Sequence, residues 1–169
     1  MRLSQTIEKA HRALTLVGID HAVIGGVALA NLGINRATAD LDLLIKGENR
    51  DAAIAALCKE GFNLGKHTDE VLHFDGVGYL DILLANRPLS KVMLQNAVVI
   101  GALKIKCLLP EDIIGLKIQA YSNDPSRELQ DKSDIKALGT VNTKMDMAKI
   151  KKYADLFNKW EEVKALLSR

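Results

Sequence analysis

Apolar residues recur along this chain in two rhythms, one of three to four residues and one of two, and their alternation predicts helices interleaved with strands. Ser4 to Leu16 places Ile7, Ala10 and Leu14 on one helical face, with Val17 next in line and Gly18 as the stop. An apolar strand follows at His21, ends at Gly25-Gly26, and gives way to one or two helical turns over Val27 to Leu32. Leu41, Leu43 and Ile45 alternate with period two up to Gly47, and Ala53, Ile54, Leu57 and Cys58 then mark a helix over Arg50 to Lys59, closed by Gly61. Val71 to Phe74 and Tyr79 to Leu84 read as strands flanking Asp75-Gly76, a dipeptide suited to a hairpin turn. Pro88 opens a polar helix through Val92 and Leu94, Ala97 to Leu109 reads as one or two short strands around Gly101, and helices take over from Pro110. Sheet first and helices last predict an α/β fold, a small mixed β-sheet flanked by helices with a C-terminal helical segment. The expected organisation is one domain over 1–169, an α/β core of 1–109 with a helical tail of 110–169 packed on it.

Polar residues that interrupt the apolar runs carry the candidate chemistry. Val23 to Ile45 reads VIGGVALANLGINRATADLDLLI, with a glycine pair after one strand and an acid pair inside the next. On a strand, Asp40 and Asp42 point the same way, about 6.6 Å apart. Leu41, Leu43 and Ile45 then anchor the opposite face. Two like charges held side by side repel unless a cation neutralises them, and a hard, oxygen-seeking ion such as Mg²⁺ suits the task. Gly25 and Gly26 let the backbone approach a phosphate closely at a helix N-terminus. Asp81 stands inside the apolar run YLDILL, where a carboxylate needs a partner because an unpaired buried charge is costly. Lys117 sits in the apolar stripe of the helix begun by Pro110-Glu111-Asp112, one turn from Ile113, Ile114, Ala120 and Tyr121. An ammonium aimed there calls for an acid or a ligand phosphate, the plainer alternatives being a snorkelling lysine or a structural ion pair with Asp134. Arg36 and Thr38 precede the acid pair; an arginine fork suits phosphate and a threonine hydroxyl a loop hydrogen bond, while a solvated arginine is the plainer alternative.

The glycine pair, a spacer of thirteen residues from Gly26 to Asp40, the acid-x-acid strand and a later strand with a third acid together resemble the nucleotidyltransferase superfamily, the polymerase-beta-like fold. The resemblance implies that Asp40, Asp42 and Asp81 bind two Mg²⁺ ions that clamp a nucleoside triphosphate, and that Gly25 and Gly26 hold its phosphates. Further on, Lys117, Arg127, Asp131, Asp134 and Ile135 resemble the helical motif of a bacterial branch that includes the abortive-infection nucleotidyltransferase toxins. Gln130 stands where that branch usually carries a base. The branch implies that Lys117 binds or activates the triphosphate and that Asp131 and Asp134 order the helices around it. The implied function is Mg²⁺-dependent transfer of a nucleoside monophosphate to an acceptor hydroxyl on tRNA or other RNA, on protein or on a small molecule, with release of pyrophosphate. The alternative is a catalytically silent nucleotide-binding or regulatory member of a toxin-antitoxin type pair, with a cognate antitoxin as partner.

Composition narrows the setting. A chain of 169 residues can bury about 70% of the surface its unfolded form exposes, enough for a core without staples. With 26% charged residues and a net charge of +2, no polyanionic partner is demanded. Cys58 and Cys107 lack C-x-x-C spacing and are expected as free thiols in a reducing compartment. The charged N-terminal segment is expected to be no signal peptide, and no apolar run is long enough to span a bilayer, so cytoplasm is the default expectation with no membrane partner. His11, His21, His67 and His73 show no metal-ligand spacing and are expected as surface or packing residues. Tyr153, Leu156, Phe157, Trp160, Val163 and Leu167 read as one packing face, and Lys149, Lys151, Lys152, Lys159 and Lys164 as its solvated opposite.

Overall fold

Two strongly apolar strands, β2 (Leu41–Lys46) and β5 (Leu80–Ala85), pair in parallel at the heart of a mixed sheet. The computed structural model describes residues 3–101 and 103–168. In chain order the first part runs α1 (Leu3–Leu16), β1 (His21–Ile24), α2 (Gly25–Asn31), β2, α3 (Arg50–Lys59), β3 (Asn63–His67), β4 (Val71–Asp75), β5, α4 (Pro88–Asn96), β6 (Val98–Val99) and β7 (Lys106–Cys107). Among the described residues these strands form one sheet of order β3-β4-β5-β2-β1-β7-β6. Pairing is antiparallel except for β2 with β5 and β1 with β7. Burial of Leu43, Leu44 and Ile45, and of Ala22 and Val23 beside them, shows why the centre reads as a near-continuous apolar run: helices cover strands that lie in mid-sheet. The mixed α/β class and the flanking helices match the expectation from the chain's periodicity.

The chain divides into two compact units, Met1–Asn31 with Arg36–Leu108, and Leu32–Asn35 with Leu109–Arg169. The second holds α5 (Pro110–Asn123), α6 (Glu128–Val141), α7 (Met147–Asp155) and α8 (Trp160–Leu167). Pro110 opens α5 from an extended residue, Leu109, and places Glu111 and Asp112 in the first turn, where acids complement the helix dipole. Asp112 is fully buried. It accepts from the Tyr153 hydroxyl and pairs with Lys149 Nζ at 2.7 Å, which ties α7 to α5.

Four expectations change. Strand β2 begins at Leu41, whose N–H donates to the Tyr79 carbonyl at 3.0 Å, so Asp40 lies in an exposed bend just before the ladder and does not share a strand with Asp42. Strand β3 went unread, because its sequence NLGKH has no period-two apolar face and it forms an exposed sheet edge. Leu156 is 65% exposed, since the chain leaves α7 there and turns through Asn158 at φ 55°, which breaks the helical spacing that linked it to Tyr153 and Val163. Lys149 is no solvated lysine; it neutralises buried Asp112.

Cys58 is exposed, Cys107 buried, and both are free thiols. Burial pushes the Cys107 thiol up to about 11, which keeps it protonated and unreactive. No helix among the described residues is long and apolar enough to cross a membrane.

One buried titratable group makes the first unit pH-sensitive. His21, 6% exposed on β1, faces the Ile19 carbonyl through Nδ1 at 2.8 Å and His11 Nδ1 through Nε2 at 2.8 Å. A carbonyl only accepts, so His21 Nδ1 carries hydrogen and its Nε2 lone pair receives the His11 N–H. Burial lowers the His21 pKa, against a smaller opposing effect of the Ile19 carbonyl. With the folded value depressed, the unfolded chain binds more protons below about pH 6.5, so stability is full above that pH and is lost as pH falls, with a slope of at most about 1.4 kcal/mol per pH unit. Urea midpoints measured from pH 7.5 to 5 are expected to fall in the wild type and to flatten in His21→Leu.

Candidate active site

The parallel ladder sets Asp42 of β2 opposite Asp81 of β5, so the two carboxylates leave adjacent strands on one face of the sheet. Asp81 has a second neighbour, His73 of β4, its partner in the antiparallel register. His73 Nδ1 lies 2.7 Å from Asp81 Oδ1, and the two side chains are 48% and 40% exposed. Asp40 stands two residues before Asp42, in the exposed bend that leads into β2. Its carbonyl accepts from the Thr38 hydroxyl at 3.2 Å, which shapes the bend.

The glycines belong to the same place for steric reasons. Ile24, last residue of β1, is the register partner of Asp42, so Gly25 emerges over the Asp42 carboxylate. A Cβ on Gly25 would sit 2.0 Å from Asp42 Oδ2, and the residue has φ +64°, a left-handed conformation that favours glycine. A Cβ on Gly26 would come within 2.7 Å of both Cβ and Oγ1 of Thr38. The glycine pair therefore lets β1 turn into α2 while packed directly on the acid strand and its leading loop. Arg36 is half-buried in that loop. These contacts bring together Gly25, Gly26, Thr38, Asp40, Asp42 and Asp81, and Arg36 belongs to the same unit.

This donor set suits a hard divalent cation: the donors are carboxylate oxygens, two of them on adjacent strands, and the missing Gly25 side chain leaves space where a Cβ would press on one of them. Among the described residues no three His, Cys, Asp or Glu side chains are already drawn into a metal cage. Asp81 is instead engaged by His73.

Sequence reasoning missed His73. The strands expected from sequence, ending at Phe74 and resuming at Tyr79, would set His73 opposite Leu80; the four-residue loop Gly76 to Tyr79 instead pairs Phe74 with Leu80 and so His73 with Asp81. The histidine was judged by metal-ligand spacing along the chain, which is blind to a cross-strand partner.

Lys117 and its partners lie within the second unit. Lys117 Nζ donates to Asp131 Oδ1 at 2.9 Å and to Asp134 Oδ2 at 2.6 Å, with side-chain exposures of 8%, 1% and 5%. Arg127 Nε adds a contact to Asp131 Oδ2 at 3.1 Å, and Gln130 Nε2 donates to Asp134 Oδ1 at 3.1 Å. One ammonium between two buried carboxylates binds α5 to α6, and Gln130 supplies a neutral donor to the second acid.

No family model matches the chain, and no curated protein matches it in sequence. Among solved structures it is similar to the antibiotic-resistance factor ANT(2'')-Ia in solution, with a TM-score of 0.70 at 18% identity over 98% of this chain and 97% of that one. A crystal structure of ANT(2'')-Ia in complex with adenylyl-2''-tobramycin gives a TM-score of 0.67 at 19% identity over 91% and 95% of the two chains. The lincomycin-bound lincosamide antibiotic adenylyltransferase LnuA gives 0.57 at 14% identity over 83% and 98%. At such identities the likeness is one of fold: the chain has a nucleotidyltransferase fold.

Two substitutions probe the two arrangements. Gly25→Ala must displace the Asp42 carboxylate and hold alanine in a left-handed conformation, at about 1–2 kcal/mol in stability. Urea unfolding checks the stability cost, and Mn²⁺ binding by the same preparation, expected to weaken, checks the displacement of the Asp42 carboxylate. Lys117→Met strands two buried carboxylates and is expected to cost about 3–5 kcal/mol, read from urea unfolding.

Proposed function

We propose that the chain is a Mg²⁺-dependent nucleotidyltransferase that moves a nucleoside monophosphate from a triphosphate to the hydroxyl of a small-molecule acceptor. The observation that carries this reading is the register that sets Asp42 beside Asp81, with Gly25 moulded onto Asp42. It is supported by a nucleotidyltransferase fold shared with two antibiotic-modifying proteins over most of their length. One of those structures carries adenylyl-2''-tobramycin and another lincomycin, which favours a small hydroxylated acceptor over RNA or protein.

Under this reading Asp40 and Asp42 hold the cations, and Asp81 completes the ligand set on the nucleophile side. When bound, the cations supply charge neutralisation at the triphosphate, the electrostatic contribution that dominates such transfers. The Gly25-Gly26 turn admits the phosphates against the backbone, with Arg36 and Thr38 on the loop beside them. Asp81 accepts the proton of the acceptor hydroxyl; the freed oxygen bonds to the α-phosphorus while the bond to pyrophosphate breaks. Lys117 is left out of the phosphate-holding set, because its ammonium is committed to Asp131 and Asp134.

The test is incubation of the purified chain with labelled triphosphates, Mg²⁺ and separate pools of aminoglycosides, lincosamides, total RNA and protein. Label on a small molecule is the expected result, whereas label on RNA or protein overturns the acceptor assignment. Triphosphate binding without label on any acceptor favours the silent regulatory reading. Asp81→Asn is expected to reduce transfer by about 100- to 10,000-fold with triphosphate binding retained. Full activity in that variant would falsify the mechanism.

A further inference from the structure

We propose that His73 is a positioning residue that holds the third acid in its working orientation. The inference rests on the transfer reading of the acid site. His73, Asp81 and Asp42 occupy one row across three adjacent strands, each the register partner of the next. The ring nitrogen that faces Asp81 Oδ1 at 2.7 Å must carry hydrogen, because an ionised carboxylate only accepts. One carboxylate oxygen is thereby fixed from the β4 side, which would orient the Asp81 carboxylate toward a bound cation.

Magnitudes separate this role from a structural one. Both side chains are half-exposed, 48% and 40%, and a water-screened pair of that kind adds little to stability. By contrast, the partner that orients a metal-binding carboxylate typically accounts for about 10- to 100-fold in metal affinity or activity. A bond that contributes so little to the fold and sits on the acid proposed to meet the nucleophile has its effect on orientation.

The experiment compares wild type, His73→Leu and His73→Asn as full chains in three measurements. In metal-free wild type, imidazole ¹⁵N shifts are expected to show Nδ1 carrying hydrogen; a bare Nδ1 overturns the proposal without any variant having to fold. Mn²⁺ titration followed by electron paramagnetic resonance, and steady-state transfer, are expected to show about 10- to 100-fold losses of Mn²⁺ affinity and kcat in His73→Leu, with KM for the triphosphate little changed. His73→Asn, whose side-chain N–H can replace Nδ1–H, recovers most of both. If His73→Leu equals wild type, or His73→Asn is as impaired as His73→Leu while unfolding normally, the proposal fails and the transfer reading stands. A wild type that neither binds Mn²⁺ nor transfers label overturns the transfer reading and this proposal with it.

Discussion

The parallel pairing of β2 with β5 is the constraint on which the rest of the first unit depends. It aligns Leu41 through Lys46 with Leu80 through Ala85 residue for residue, so the two acids in these apolar strands emerge side by side. A shift of one residue would turn Asp81 toward the opposite face and bring its apolar neighbours in its place. The same register passes through β1, where Ile24 meets Asp42, and this is why the next residue has no room for a side chain. Glycine at position 25 is thus a consequence of strand pairing as much as a feature of a turn. Burial of Leu43, Leu44, Ile45 and Ile82 holds the register, because any slip would expose part of that apolar surface.

Charge is handled differently in the two units. The acids of the first unit stand at its surface or are half-exposed, where water and a hydrogen-bonded histidine moderate their repulsion. In the second unit Asp131 and Asp134 are almost wholly buried, and each is met by Lys117 and by a further donor, Arg127 just before α6 or Gln130 within it. Removing one member of such a group leaves a buried charge unmatched, so the arrangement specifies how α5 and α6 meet more than it adds net stability. Asp112, with Lys149 and Tyr153, joins α5 to α7 by the same logic. The helical unit is built around the buried carboxylates of Asp112, Asp131 and Asp134, each paired with a lysine, while the buried Glu111 accepts from the Asp146 N–H.

The likeness in fold rests on the sheet and its flanking helices, whereas chemistry resides in particular side chains. Under the proposed reading the face carrying Asp42, Asp81 and His73 is where the acceptor is activated, and His73 links its orientation to β4.

Much of this was legible in the chain because it is local. Helix α5 announces itself by Pro110 and its two acids, β5 by an apolar run with one aspartate, and the turn into α2 by a glycine pair. Asp40 lies one residue outside the strand, where period-two spacing continues into a bend that precedes the ladder. Strand β3 was invisible for the complementary reason, since an exposed edge needs no apolar face. Sequence by itself determined which residue types stand at which periodicity, hence the elements and the acids they carry, because side-chain direction within one helix or strand is set by neighbouring residues. Tertiary structure alone decided the partners: Asp42 beside Asp81, His73 on Asp81, Lys149 on Asp112, and Lys117 shared by two aspartates rather than one. Those contacts join residues far apart in the chain, and their register is set by the best simultaneous burial of many apolar side chains, a property of the whole core that no single segment encodes.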